Sequence, residues 1–108
     1  MTTEYVTVTT TTDDESEAAR LAESAVANRL AACAQVSQPI RSTYWWDGKV
    51  ETATEYRVDY KTTATLADRL TEHVRSTHSY DTPEVIVTPI VGGNPAYLAW
   101  VGAETTSD

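Results

Sequence analysis

Cysteine is nearly absent from this 108-residue chain: Cys33 stands alone. No internal disulfide can form, and the usual mark of an oxidising compartment is missing. Lysine is also scarce. Lys49 and Lys61 are the only two, beside six arginines, and together these eight bases face sixteen Asp plus Glu for a formal charge of −8. A phosphate backbone selects a basic stripe, so this balance excludes nucleic acid as a partner, and it disfavours anionic membrane surfaces for the same reason. No stretch approaches the ~18 consecutive apolar residues of a membrane span. The opening Met1-Thr2-Thr3-Glu4-Tyr5 has neither the basic region nor the apolar run of a signal peptide. Also missing are a Walker A sequence, a dinucleotide-binding glycine pattern, a Gly-x-Ser-x-Gly elbow and a His-Glu-x-x-His pair, and Gly92-Gly93 reads as a tight turn. The expectation is one soluble cytoplasmic domain over residues 1–108, with a core but no disulfide scaffold.

What is present is acid, threonine and short regular elements. An acid-rich, Lys-poor, Thr-rich surface stays hydrated at high ionic strength, where screening removes its self-repulsion. Two readings follow: a salt-adapted cytoplasm, or an ordinary acidic protein from an organism favouring Ala, Val, Thr, Asp and Arg codons. Tyr5–Thr9 is β-branched or aromatic throughout and predicts a first strand, followed by a polar stretch from Thr10 to Asp13. Asp14 and Glu17 have capping-box spacing. Ala18, Leu21, Ala22, Ala25, Val26 and Leu30 then form a helical stripe, with Glu17, Arg20, Glu23 and Asn28 on the solvent side. A β region from Cys33 to Trp46 is interrupted near Pro39, and Asp47-Gly48 signals a hairpin. Tyr56, Val58 and Tyr60 alternate with Arg57, Asp59 and Lys61. Thr65 and Asp68 open a second helix with Leu66, Leu70 and Val74 inward. A turn-rich connection from Ser76 to Pro83 leads to a last strand, Glu84–Thr88, ended by Pro89. Pro95 starts a short helix to about Trp100, and the tail from Ala103 is expected to fray.

The order β-α-β-β-α-β plus a terminal helix predicts an α+β, ferredoxin-like βαββαβ sandwich, two helices on one face of an antiparallel sheet. Two helices cover only one face, while Tyr44, Trp46, Tyr56, Val58 and Tyr60 lie on the hairpin strands, so an oligomer is expected to cover part of that aromatic surface.

Few side chains suggest chemistry. Cys33, at a helix–strand junction, reads as a small buried hydrophobe. His73 lies on the edge of the second helix's apolar stripe and reads as a boundary histidine. His78 lies in the loop His78-Ser79-Tyr80-Asp81-Thr82-Pro83-Glu84. It has two readings: a ligand for a borderline metal such as copper or zinc, or a loop hydrogen bond. Lys61 and Glu84, each expected at a strand end, could pair or share a cleft. Trp45, Trp46 and Trp100 suit packing or subunit contact.

Five blocks of sequence, taken together, resemble the CutA family of divalent-cation tolerance proteins. They are Leu30-Ala31-Ala32-Cys33-Ala34; Ser42-x-Tyr44-x-Trp46-x-Gly48-Lys49-Val50-Glu51; Lys61-Thr62; His78-x-Tyr80-Asp81-x-Pro83-Glu84; and Gly93-Asn94-Pro95-Ala96-Tyr97-Leu98-x-Trp100. The resemblance implies a homotrimer, a part in tolerance of metal ions such as copper, no catalytic reaction and no required cofactor. It also implies a ligand cleft between subunits lined by Trp46, Lys61, His78, Tyr80, Glu84 and Trp100. Some bacterial members bind copper through a cysteine and a His-His pair; the matching positions here are Thr10, Thr77 and His78. Only His78 remains as a candidate metal residue, which implies weak or indirect copper binding. An alternative is a trimeric module sensing a small anionic metabolite through the cleft that holds Lys61 and the aromatic residues. An enzyme with Glu84 or His78 as base and Lys61 as electrophile is a weaker reading, because no nucleophile is identifiable.

Overall fold

The structure, a computed structural model, describes residues 4–106. Its β-branched opening run forms β1 (Tyr5–Thr12), followed by α1 (Glu15–Ala27), β2 (Cys33–Val36), β3 (Ile40–Trp46) and β4 (Lys49–Thr63). A single 3₁₀ turn, Ala64–Leu66, leads into α2 (Ala67–Thr77), then β5 (Val85–Ile90) and α3 (Pro95–Ala103). The strand order is β2-β4-β1-β5, every pair antiparallel, and β3 continues along β4 beyond β2. Counting β2 and β3 as one strand interrupted at Ser37–Pro39 gives the expected split plan, with β4 between β1 and β2, and β1 between β4 and β5.

Local chemistry accounts for most boundaries. Asp14 caps α1, its Oδ1 accepting from the Ser16 and Glu17 amides at 2.8 and 3.3 Å. Asp47 and Gly48 both take positive φ, 50° and 77°, the pattern of a type I′ hairpin turn whose twist matches its strands. Asn94 caps α3, with Pro95 in the first turn.

Several expectations are corrected. β1 runs on through Thr12, and Thr10, Thr11 and Thr12 are buried: pairing with β5 as far as Thr10 and with β4 through Thr12 extends the strand past its apolar residues. Pro89 does not end the last strand, because β5 is an edge strand, bonded only to β1, where proline's missing N–H is tolerated. Thr65 does not cap α2; it lies inside the 3₁₀ turn. The tail is held through Thr106, whose amide donates to the Arg29 carbonyl at 3.1 Å; residues 107 and 108 of the expected frayed tail lie outside the described residues. Val26, expected inward, is exposed.

The core lies between the sheet and α1 and α2, built from Val8, Val58, Tyr60, Leu21, Leu70 and Val74. Val58 and Tyr60 therefore belong to the helix-covered face. Tyr56 packs against the same core, while Tyr44 and Trp46 of the expected surface do stay open, together with Trp45 on β3 and Val50 opposite it. This first half of β4 pairs only with β3, so residues 40–55 form a two-stranded arm on a molecule 43 Å long.

Candidate functional site

The loop after α2 spends its polar groups on the fold. His78 Nε2 lies 2.8 Å from the Thr11 carbonyl, and Nδ1 lies 3.0 Å from the Tyr80 amide. A carbonyl can only accept and an amide can only donate, so the ring is the neutral tautomer with its proton on Nε2. Both ring nitrogens are thus engaged. Tyr80 packs against the same ring, centroids 4.7 Å apart, and its hydroxyl donates to Glu55 Oε2 at 2.8 Å. Burial pushes the Tyr80 phenol up, reinforced by the Glu55 hydrogen bond and by the charges of Glu55 and Asp13.

Glu17, expected on the solvent face of α1, is 2% exposed. Its carboxylate accepts from the Thr12 hydroxyl, from the Ser79 hydroxyl at 2.8 Å and from the Ser79 amide at 2.7 Å, with the Arg20 guanidinium 3.6 Å away. Burial pushes this carboxyl's proton affinity up. The hydrogen bonds from the Thr12 hydroxyl and from the Ser79 hydroxyl and amide more than reverse that and hold it below the ordinary 4.5. A charged residue can be buried here because the loop supplies its partners. Helical spacing contained the clue, since Glu17 precedes the buried Leu21 by four residues.

A second polar cluster occupies the sheet face opposite α1 and α2. Thr9 donates to Asp59 at 2.7 Å, Arg57 pairs with the same carboxylate at 3.2 Å, and Lys61 Nζ reaches Gln35 Oε1 at 2.6 Å. Lys61 lies within β4, opposite Cys33 and Thr7, two residues short of the strand's end. It is not ion-paired with Glu84, which is exposed and immediately precedes β5. Cys33 is half-buried, not fully buried as expected, because it lies opposite Lys61, on the sheet face away from α1 and α2. Burial raises the Tyr97 phenol, and the neighbouring Cys33 side chain raises it further. Trp100 packs against Tyr97, the rings tilted by 36° with centroids 5.5 Å apart. His73 is a satisfied boundary residue, bonded to Ser24 Oγ at 2.8 Å.

Of the six expected cleft residues, one chain brings together His78 and Tyr80, and separately links Trp100 to Lys61 through Tyr97 and Cys33. Trp46 is remote from Lys61. It pairs with Lys49 at the arm's tip, twelve strand positions from Lys61, roughly 40 Å at the ~3.3 Å rise of a strand. Surface concavities of about 500 and 380 Å³ lie on the outer side of α1 and on the arm, and neither touches any of the six.

The donor set of a single chain does not fit a copper or zinc centre. Among the described residues, no three His, Cys, Asp or Glu side chains converge. Thr10 is fully buried, and the Thr77 hydroxyl turns back to the His73 carbonyl at 2.8 Å.

Comparison with known proteins gives one answer. The sequence profile of the CutA1 divalent ion tolerance protein family matches residues 6–104. The chain is 46% identical over 101 residues to "Protein CutA 1, chloroplastic" of Oryza sativa, covering 94% of this chain and 55% of that protein; it spans about half the length of this plant relative. It is 39% identical over 98 residues to the divalent-cation tolerance protein CutA of Pectobacterium atrosepticum, covering 91% of this chain and 89% of that one. The crystal structure of CutA1 from Oryza sativa superimposes with a TM-score of 0.94 at 43% identity, covering 99% and 98% of the two chains.

Proposed function

Because this chain belongs to the CutA1 divalent ion tolerance family, we propose that it is a homotrimeric, non-catalytic tolerance protein of the cytoplasm whose contact with copper or zinc is weak or indirect. The observation that carries the assembly is the separation of Trp46 and Lys61 along β4. A cleft containing both must draw them from different chains. The arm adds support: a two-stranded ribbon is marginal by itself, and Trp45 and Trp46 leave 75% and 66% of their surface exposed. The metal side of the reading rests on His78, whose two nitrogens are both engaged within the chain. One imidazole with no thiolate or second imidazole beside it makes a poor site for copper. A lone cysteine favours a reducing compartment. The family's description, tolerance of divalent ions, favours a cation over a small metabolite.

Sedimentation equilibrium tests the assembly. Three chains of 11.8 kDa give about 35 kDa, and the mass of a single chain at physiological salt would overturn it. Calorimetric titration with copper and zinc tests the metal reading. Weak isotherms that His78→Ala leaves unchanged are expected, whereas tight binding lost in that variant would reverse it.

A further inference from the structure

Glu17 and His78 never touch, yet Ser79 joins them. Both hydrogen-bond donors of Ser79, amide and hydroxyl, end on the Glu17 carboxylate. His78 precedes Ser79 and Tyr80 follows it, so fixing Ser79 fixes the peptide that presents the Tyr80 amide to His78 Nδ1. Thr12 holds the same carboxylate from the end of β1, next to Thr11, whose carbonyl takes the Nε2 proton. Glu55, on β4, holds the far side of the loop through the Tyr80 hydroxyl. The loop is therefore pinned from α1 by one buried carboxylate and from the base of the arm by another, and the imidazole is held between them.

We propose that Glu17 is the positioning residue that locks His78 as a neutral, doubly bonded pin of this loop and so withholds its imidazole from metal. In a chain whose family is named for divalent ions, this histidine is a structural element, and it becomes a ligand only when the Glu17–Ser79 bonds are released. The proposal rests on the cation reading for its choice of zinc as probe, but sedimentation tests that reading's assembly, and the measurements below are made on His78 and Ser79 themselves.

The test is nitrogen-15 NMR of the His78 ring together with hydrogen exchange of the Ser79 amide. Wild type, Glu17→Gln and Glu17→Ala are each followed with and without zinc chloride. In the wild type, His78 shows the Nε2-protonated tautomer, its ring signals do not move with zinc, and the Ser79 amide is protected. In Glu17→Ala, that protection falls by roughly tenfold or more, the tautomer signature is lost, and zinc now shifts the ring signals. Glu17→Gln keeps the shape of the side chain but lacks the charge; it is expected between the two, and supplies the reading if Glu17→Ala fails to fold. Zinc shifting the wild-type ring while Ser79 stays protected would overturn the proposal. So would a variant at Glu17 whose Ser79 amide and His78 tautomer match the wild type.

Discussion

At the scale of single residues, the buried Glu17 carboxylate makes a pH prediction with a definite sign. In the unfolded chain the group protonates near 4.5; in the folded chain its donors hold it ionised to lower pH. Its contribution to stability is thus fully present above 4.5 and is lost as pH falls through the folded value. Urea unfolding of wild type and Glu17→Gln is expected to show a gap at pH 7 that narrows steadily below about 4.5. A gap independent of pH would mean that shape, and not charge, is what the residue supplies. Thr10 gives a prediction in the other direction. Its hydroxyl is fully buried on the helix-covered face with no protein hydrogen-bond partner, as is the Tyr60 hydroxyl on the same face. Burying an unpaired hydroxyl costs stability, so Thr10→Val should raise the unfolding free energy by about 1 kcal/mol; a loss of that size would show that the hydroxyl is satisfied after all. These two residues also mark where the sequence was hardest to read. Threonine and glutamate are ordinarily surface residues, and only the tertiary partners of Glu17, one of them sixty-two positions away, make its burial tolerable.

At the scale of elements, the end of α1 shows a local rule broken and then compensated. The Arg29 amide donates to the Val26 carbonyl and the Leu30 amide to that of Ala25, the paired bonds of a Schellman motif. The residue in the left-handed position is Arg29, with φ of 62°, where glycine is preferred. Its guanidinium recovers part of the cost by reaching Glu104, 2.7 Å to Oε2 and 3.2 Å to the carbonyl, while its own carbonyl accepts the Thr106 amide. Arg29→Ala keeps the backbone strain and loses the tether, whereas Arg29→Gly loses the tether but relieves the strain. Glycine should therefore be the more stable of the two by about 1 kcal/mol in thermal or denaturant unfolding. The alternation of strands and helices was legible in the sequence because its signals are local: the Asp14 cap, the Asp47-Gly48 turn, the Asn94-Pro95 start. The extension of β1 through Thr12 and of β5 through Pro89 was not, because each depends on which strand lies alongside. The candidate site was legible only as residue types. His78 and Tyr80 were found together, but the engagement of both imidazole nitrogens arises from the Thr11 carbonyl, and a backbone group leaves no mark in a sequence.

At the scale of the whole molecule, charge and assembly act against each other. The chain carries −8, and three copies in the proposed trimer carry about −24 by multiplication. Added salt has two opposing effects. It weakens exposed ion pairs such as Arg29–Glu104 and Arg75–Glu72, but such pairs contribute only about 0–1 kcal/mol each. It also screens repulsion among acids spread over a body with a Cα radius of gyration of 14.4 Å. The screening length falls from ~10 Å at 0.1 M salt to ~3 Å at 1 M, so repulsion across the molecule is largely removed over that range. Relief of repulsion should outweigh loss of the pairs. The thermal midpoint is expected to rise with KCl, and the assembled mass to give way to smaller species at low salt. The shape of the dependence separates screening from general strengthening of apolar contacts: screening levels off near ~1 M, where the charges no longer sense one another, while salting-out keeps rising. KCl and NaCl should act alike at equal ionic strength, since screening depends on charge and not on the identity of the ion. A midpoint that does not rise between low and molar KCl would remove salt adaptation as the explanation of the acidic surface.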